Sequence, residues 1–390
     1  MSAATRLSID VGYLADVLRR LLDTASPSGY TDTIVRLACD ELDALGVRYE
    51  LTRRGAIRAR LPGAASKGAR ALIAHLDTLG AQVKNLKDNG RLELVPIGHW
   101  SSRFAEGARC TVFTERGSFR GSILSLKSSG HTFNEEVDTH PVGWPHVELR
   151  VDALARNRRD LERLGIAIGD TVAIDARSEF LANGYIVSRH LDDKAGCAAM
   201  LAAMKALVAD GGQLPVDTLF IFSIAEEVGV GASSVLTHDV ASLVTIDNGT
   251  TAPGQASDEF GVTIGMADQT GPYDYHLTHK LIRLCRDNDI AFQRDVFRYY
   301  RSDSASAIEA GHDVRTALIA FGIDASHGHE RIHMHALRSL AELVTAYARS
   351  AVEIPRDAEE LAPLQGFTHQ PMQEADSTLL TPAGPESRRR

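Results

Sequence analysis

Apolar and polar residues alternate with a helical period at the start of the chain. From about Val11 to Ala25 the apolar positions recur at the spacing of an amphipathic helix, until Ser26-Pro27-Ser28-Gly29 interrupts the pattern. A second helix is predicted from Thr31 through Leu42. The mainly apolar run Ala69 to Ala74 is typical of a buried strand. The N-terminal part therefore predicts an α/β domain.

A different pattern occupies residues 81–177, where short β-like runs follow one another with glycine-containing turns between them. The runs are Leu92 to Ile97, Cys110 to Phe113, Gly121 to Leu126, His146 to Val151 and Thr171 to Ile174. Such spacing favours a small barrel or sandwich. We therefore expect residues 81–177 to form an inserted all-β, barrel-like domain that serves in oligomerisation or as a lid.

Strands and helices alternate again in the second half. The predicted strands are Val216 to Ile224, Ser242 to Ile246, Val262 to Met266, Phe292 to Tyr299 and Arg315 to Phe321. The predicted helices are Lys194 to Asp210, a stretch near Ala232, Tyr273 to Asp289, Ser304 to Ala310 and Met334 to Val352. This alternation indicates an α/β fold with a helix-covered, mostly parallel sheet. The catalytic domain is then discontinuous, residues 1–80 plus 178–354, and the polar residues 355–390 are predicted to be a disordered tail.

Composition and charge exclude several classes of function. The formal net charge is −9, from 42 Lys+Arg against 51 Asp+Glu, which argues against a nucleic-acid partner. No run is long and apolar enough to span a membrane, and the N-terminus has no apolar signal region, so a cytoplasmic location is expected. The 4 cysteines are far apart and include no CxxC pair, so they predict neither a zinc knuckle nor a disulfide framework.

Polar residues follow several of the predicted strands where each strand ends. They are His75, Asp77, Asp192, Asp193, Glu226, Glu227, Asp247 and His327. Because ligands bind outside the carboxyl ends of strands in open parallel sheets, we expect these side chains to meet at one rim. Imidazole and carboxylate suit zinc, cobalt or manganese, and two metals need a bridging carboxylate. The sequence therefore predicts two divalent metal ions held at this rim, zinc first, with cobalt or manganese as alternatives.

Individual residues have different expected roles. Asp77, two residues after His75, could accept the imidazole's second N–H. Of the adjacent Glu226 and Glu227, one could bind metal while the other acts as general base.

The sequence leaves two assignments undecided, the last metal ligand and the role of Asp303. His329 is a rival of His327 as the last ligand. Asp303 either supports the site at its substrate end or caps the helix that begins there.

Several motifs resemble those of one known family, the tetrahedral-particle (TET-type) or glutamyl aminopeptidases, over nearly the whole chain to about Val352. The motifs are Pro27-Ser28-Gly29, Ala74-His75-Leu76-Asp77, Leu191-Asp192-Asp193-Lys194-Ala195-Gly196, Ala225-Glu226-Glu227-Val228-Gly229 and Ile246-Asp247. Lys194 stands where the family usually has Arg, and the segment around His327 lacks the family's usual aromatic residue and proline. With these departures, the sequence is similar to a bacterial subgroup of the family that is linked to synthesis of the osmolyte N-acetylglutaminylglutamine amide.

This resemblance implies a zinc-exopeptidase-like fold and a role for each site residue. Asp192 would bridge two metals, His75 and Asp247 would complete one, and Glu227 and His327 the other. Glu226 would be the general base, Asp303 would lie near the substrate, and the Asp192–Asp193 peptide bond would be cis. Homo-oligomers, from dimers to twelve-subunit particles, would be expected.

The first hypothesis is therefore a metallo-aminopeptidase that acts on short or modified peptides. A second keeps the metals but makes the protein an amidohydrolase or deacylase of N-acylated amino acids or dipeptide amides. A third, from a different class, is an inactive assembly or binding protein. Because every predicted ligand and the predicted base are present in the sequence, the third is the weakest.

Overall fold

The computed structural model describes residues 6–237 and 239–371. The helices of these residues are α1 (Val11–Asp23), α2 (Asp32–Ala44), α3 (Ser102–Ala105), α4 (Gly130–Phe133), α5 (Arg158–Leu164), α6 (Leu191–Asp210), α7 (Tyr275–Asp287), α8 (Asp303–Glu309) and α9 (Met334–Arg349). The strands are β1 (Arg48–Leu51), β2 (Ile57–Leu61), β3 (Gly63–His75), β4 (Gly80–Leu86), β5 (Leu92–Ile97), β6 (Arg109–Thr114), β7 (Gly117–Ser125), β8 (Val147–Val151), β9 (Thr171–Ile174), β10 (Glu179–Phe180), β11 (Tyr185–Ser188), β12 (Leu214–Ser223), β13 (Val240–Thr250), β14 (Val262–Asp268), β15 (Gly271–Pro272), β16 (Phe292–Val296), β17 (Arg315–Ile323) and β18 (Glu330–His333).

The largest sheet has the strand order β1-β2-β12-β3-β13-β17-β14-β15, with β16 beside β14. Its four central strands, β12, β3, β13 and β17, are parallel to one another. The flanking pairs β2–β12 and β14–β17 are antiparallel. The predicted α/β class is confirmed, but the sheet is mixed, because parallel pairs in its centre and between β14 and β16 stand beside antiparallel ones. Short connections reverse the chain between β1 and β2 and between β14 and β15, and these pairs are antiparallel as well.

Helices cover both faces of this sheet, as two adjacent residues of β13 demonstrate. Ile246 faces α6, where Gly196 lies so near that an added Cβ would stand 2.8 Å from the Ile246 side chain. Glycine is therefore needed for this close approach. Thr245 points the other way, because its hydroxyl lies 2.7 Å from that of Ser304 in α8. Since neighbouring residues of a strand face opposite sides, α6 and α8 lie on opposite faces of the sheet.

The insertion is a closed antiparallel barrel with the strand order β4-β5-β8-β7-β6-β9. It has its own core, which includes the fully buried side chains Leu92, Val112, Ile123 and Val172. The predicted small all-β insertion is thereby confirmed as part of the fold class. The connection after β5 carries Trp100, whose ring packs edge-on against Trp144 at a centroid distance of 5.0 Å.

Some elements differ from the prediction. A third, three-stranded sheet joins β10, β11 and β18, and the stretch near Ala232 is a 3-10 turn over Ala232–Ser234 rather than an α-helix. The residues before β18 are polar and rich in histidine, so no apolar pattern marks this strand. No helix within residues 6–237 and 239–371 is long and apolar enough to cross a membrane.

The first part of the predicted tail is ordered against the large domain. Pro355–Ala358 forms a 3-10 turn, and Asp357 accepts hydrogen bonds from the guanidinium of Arg315 at 2.5 and 3.2 Å. This ion pair holds the segment in place, so the expectation of disorder is wrong for these residues. The last part of that prediction, residues 372–390, lies outside the described residues.

Candidate metal centre

The polar residues at the strand ends meet at one edge of the central sheet. β3 ends at His75, and the neighbouring parallel strand β12 ends three residues before Glu226. In β13, Thr245 pairs with Ile73, so Asp247 stands level with His75. This edge is the carboxyl end of the parallel strands, where the chain leaves the sheet and side chains from several strands can converge.

Two groups of side chains at this edge have the spacing of metal ligands, and they share one residue. His75, Asp192 and Asp247 offer ligand atoms that lie within 4.8 Å of one another, and so do Asp192, Glu227 and His327. Nε2 of His75 lies 3.1 Å from Oδ1 of Asp192, and Nε2 of His327 lies 3.4 Å from Oδ2. The two imidazoles therefore face the two different oxygens of one carboxylate, which suits a carboxylate between two cations.

The backbone around Asp192 departs from regular helix geometry. The peptide bond between Asp192 and Asp193 is cis, in agreement with what the family resemblance implies. Both residues have non-helical dihedral angles although they fall within the bounds of α6. Asn248 donates from Nδ2 to Oδ2 of Asp192 at 2.7 Å, so a buried amide orients the shared carboxylate.

Asp77 organises the turn that carries the two glutamates. Its Oδ1 accepts the backbone N–H of Glu226 at 3.1 Å, and its Oδ2 accepts that of Glu227 at 3.3 Å and the hydroxyl of Ser28. Nδ1 of His75 lies closer to the backbone oxygen of Asp77, at 2.9 Å, than to its carboxylate, at 3.6 Å. The imidazole N–H is therefore paired with the backbone carbonyl of Asp77 and not with its carboxylate, because the carboxylate already accepts the two backbone amides.

His327 is held by contacts from two domains. Its backbone has φ +65°, in the left-handed region that non-glycine residues rarely adopt. Its Nδ1 lies 2.9 Å from the backbone oxygen of His99 in the barrel. A hydrogen bond donated there leaves a lone pair on Nε2, which faces Asp192 and Glu227, available to a metal ion. His329 is exposed and belongs to neither group, so the geometry favours His327 over its rival.

Glu330 is a fully buried carboxylate beneath the shared ligand. Its Oε2 accepts the backbone N–H groups of Leu191 and Asp192 at 2.8 and 3.3 Å, and its Oε1 accepts that of His327 at 3.0 Å. One side chain therefore fixes the backbone of residues from both ends of the site. Sequence reasoning assigned it no role, and the only signal was an acidic residue three positions after a predicted ligand.

Glu226 lies beside both groups without belonging to either. Its Oε2 is 3.7 Å from Nε2 of His75, and its side chain is 14% exposed, so it can reach a molecule that enters the site. Burial, and then the charges of neighbouring carboxylates such as Asp247, raise the pKa of Glu226 well above its usual range. A partly exposed carboxyl group with a raised pKa can exchange a proton with a neighbouring molecule.

The electrostatics of the site indicate that cations belong there. Burial, followed by the charge of Asp192, raises the pKa of Glu227 to about 8 and that of Asp247 to about 7. Burial alone would lower the pKa of His327, but the hydrogen bond to Asp192 and the charge of Glu227 outweigh it and raise the value to about 10. So many buried carboxylates repel one another unless positive charge is present. The donor set of imidazoles and carboxylates fits divalent metals such as zinc.

Asp303 lies deeper than a substrate contact would require. It is buried, and its carboxylate accepts the Ser223 hydroxyl at 2.6 Å, the Ala232 N–H at 2.8 Å and the Ser306 hydroxyl at 3.1 Å. An added Cβ at Gly231 would stand 2.2 Å from its Oδ1, so glycine is needed for this approach. These contacts favour support of the loop after Glu227 over direct binding of substrate. Asp303 is also the first residue of α8, not its N-cap.

Comparisons with known proteins agree with this description. Residues 55–343 match the family model described as M42 glutamyl aminopeptidase. The chain is 36% identical over 336 residues to "Putative aminopeptidase YhfE" of Bacillus subtilis (strain 168). The aligned region covers 86% of this chain and 97% of that protein.

Solved structures are similar in fold. An aminopeptidase of the archaeon Desulfurococcus kamchatkensis superimposes with a TM-score of 0.80 at 22% identity, covering 91% of this chain and 99% of that one. The TET1 peptidase of Pyrococcus horikoshii, described as assembling into a tetrahedron or a large octahedral shell, gives 0.76 at 22% identity, with 86% and 99% covered. At this identity the likeness concerns the fold.

Proposed function

This chain belongs to the M42 glutamyl aminopeptidase family and is a metallo-aminopeptidase, and from the geometry of its site we propose that it removes N-terminal residues from short or modified peptides with two metal ions and a glutamate base. The observation that carries the proposal is the position of Asp192, which belongs to both groups of potential ligands. A single carboxylate shared in this way is what a pair of metal ions requires.

The proposed ligands follow from the two groups. His75 and Asp247 would hold one ion, Glu227 and His327 the other, and Asp192 both. Zinc is the proposed ion, with cobalt or manganese as alternatives, because all three accept imidazole and carboxylate ligands. Metal analysis of the purified protein by mass spectrometry tests both the number and the identity of the ions.

When bound, the two ions supply a water of lowered pKa and a polarised scissile carbonyl. Glu226 would accept the protons of the attacking water and deliver them to the nitrogen of the leaving amine, so that an amide and water give a carboxylate and a protonated amine. The carboxylate of Asp77 would hold Glu226 in place by accepting the backbone N–H of Glu226. Asn248 and Glu330 would orient Asp192.

Glu226→Gln tests the proposal, since it removes the base and leaves the proposed ligands. We expect kcat to fall by roughly 10² to 10⁴ while both metal ions are retained. Glu227→Gln is the contrasting variant, because it alters a proposed ligand and should lower the metal content. A Glu226→Gln enzyme that turns over near the wild-type rate would show that the base is misassigned.

Substrates that differ only at their ends separate the peptidase from the deacylase hypothesis. A free dipeptide, its N-acetylated form and its C-amidated form should be assayed side by side. An aminopeptidase needs the free α-amine, whereas a deacylase acts on the acetylated form. A fourth substrate, blocked by N-acetylation and C-amidation together, tests the proposed link to the osmolyte N-acetylglutaminylglutamine amide, and its turnover would favour that link.

We also propose that the protein is a homo-oligomer, between a dimer and a dodecamer, assembled through its barrel. The similar TET1 structure is described as forming a tetrahedron or an octahedral shell. Light scattering after size-exclusion chromatography measures the mass, and a monomeric protein would contradict the proposal.

A further inference from the structure

Arg189 is a half-buried cation that lines the same pocket as Asp192, Glu227 and His327. It lies between the end of β11 and the start of α6, three residues before Asp192. The rest of the pocket wall includes apolar side chains, among them Trp100 and Ile174. A positive charge therefore stands in a small, partly apolar recess beside the proposed metal ligands.

The hydrogen-bonding capacity of Arg189 is mostly unused. Its Nε is buried and has no partner among the described residues. Its Nη1 donates one long bond, 3.4 Å, to the backbone oxygen of Asp175. An arginine carries five N–H donors in a planar fork, and a buried cation is usually paired with an anion. Within the described part of the chain, no carboxylate forms an ion pair with Arg189.

The acidic groups that could pair with Arg189 are engaged elsewhere. The carboxylate of Asp175 accepts both Nη atoms of Arg120. The carboxylate of Glu330 accepts the backbone amides of Leu191, Asp192 and His327. The fold thus satisfies the neighbouring carboxylates and leaves this one guanidinium to face the pocket.

We propose that Arg189 binds a carboxylate of the substrate next to the scissile bond. This inference rests on the proposed peptidase function and names its substrate class: very short peptides with a carboxylate within one residue of the bond that is cut. Two parts of such a peptide have this chemistry, the α-carboxylate of a dipeptide's leaving residue and the acidic side chain of an N-terminal residue. A residue spans only about 3.5 Å along an extended chain, so either carboxylate lies within one residue's length of the scissile bond. The fork of Arg189 fits both, since it can donate two parallel hydrogen bonds.

Two pairs of peptides distinguish the two sources. Alanyl-alanine and its C-terminal amide test the α-carboxylate, while glutamyl-alanine amide and glutaminyl-alanine amide test the side chain. Each is assayed with the metal-loaded wild type and with Arg189→Met, Arg189→Lys and the control Arg177→Met. Arg177 lies in the same region, is exposed and is 3.9 Å from the carboxylate of Asp175.

For Arg189→Met we expect kcat/KM to fall roughly ten- to hundredfold on the carboxylate-bearing (charged) member of one pair, mainly through a higher KM. The neutral member should change by less than about threefold, Arg189→Lys should retain part of the effect, and Arg177→Met should match the wild type. A loss confined to the alanyl pair assigns the α-carboxylate, and a loss confined to the glutamyl pair assigns the side chain. Equal effects on charged and neutral members of both pairs overturn the proposal.

Binding measured without turnover keeps this inference separate from the proposed function. Calorimetry compares Glu226→Gln with Glu226→Gln/Arg189→Met, using the same four peptides. Weaker binding of only the charged peptides by the double variant supports the role of Arg189 even if the wild type cleaves none of them. Equal binding of all four peptides by both proteins overturns it. Thermal unfolding of each variant identifies any loss of folding.

Discussion

The backbone N–H of His327 donates to Oε1 of Glu330 at 3.0 Å, and the other oxygen of the same carboxylate accepts the N–H of Asp192 at 3.3 Å. We predict that Glu330→Gln lowers metal affinity about 10- to 100-fold, because an amide can accept on one side only and the other side would turn an NH₂ group toward an N–H. Metal content after dialysis against graded chelator measures this loss.

Glu259→Gln is the matched control for Glu330. Glu259 lies on the same side of the molecule, where it pairs with the guanidinium of Arg331 at 2.9 Å, but it touches no proposed ligand. It should retain metal like the wild type. If added metal at saturating concentration does not restore activity to Glu330→Gln, the defect lies in the fold and the positioning role is wrong.

His327 and His329 form a natural pair for the second prediction. Nε2 of His327 is 3.4 Å from Asp192 and 3.8 Å from Glu227, whereas His329 is exposed. His327→Ala should lose one metal ion per subunit and most of the activity, and His329→Ala should keep both. Metal analysis of the two variants, purified in parallel, checks the prediction; loss of metal from His329→Ala would reverse the assignment.

The site could be predicted from the sequence where a ligand follows an apolar strand. His75 and Asp247 are of this kind, since apolar runs mark β3 and β13 and the parallel arrangement brings their ends together. Glu330 could not be predicted, because its partners are backbone N–H groups 138 and 139 residues earlier in the chain. The unpaired state of Arg189 likewise depends on which carboxylates the fold has already engaged. The antiparallel pairs β2–β12 and β14–β17 join strands that are far apart in the chain, and no apolar period in the sequence predicts their direction.

Asp77 gives a third prediction, on the rate rather than on metal binding. Asp77→Asn keeps the size of the side chain but can accept through one oxygen only, so one of the two backbone amides of Glu226 and Glu227 loses its partner. We expect kcat to fall about tenfold or more with KM little changed, since the proposed base would be held less firmly. Steady-state kinetics at saturating metal measure the effect. A change in KM alone would contradict it.

The barrel provides a prediction about pH and stability that is independent of the metal site. Glu148 is 3% exposed; burial opposes its ionisation, but hydrogen bonds from Lys87 and Arg91 outweigh burial and hold the pKa of Glu148 below its usual range. A carboxyl whose pKa is lowered by folding contributes stability that is present above its unfolded pKa, about 4.3, and lost as the pH falls through the folded value. Glu148→Gln should therefore lower the free energy of unfolding by about 1–3 kcal/mol at pH 7, and this deficit should shrink below about pH 4.

Urea unfolding monitored across this pH range checks both statements. Glu162→Gln is the control, since Glu162 forms an exposed pair with Arg158 that should contribute little. A deficit that stays constant from pH 7 to pH 3 would mean that Glu148 stabilises the barrel by packing and not by its charge.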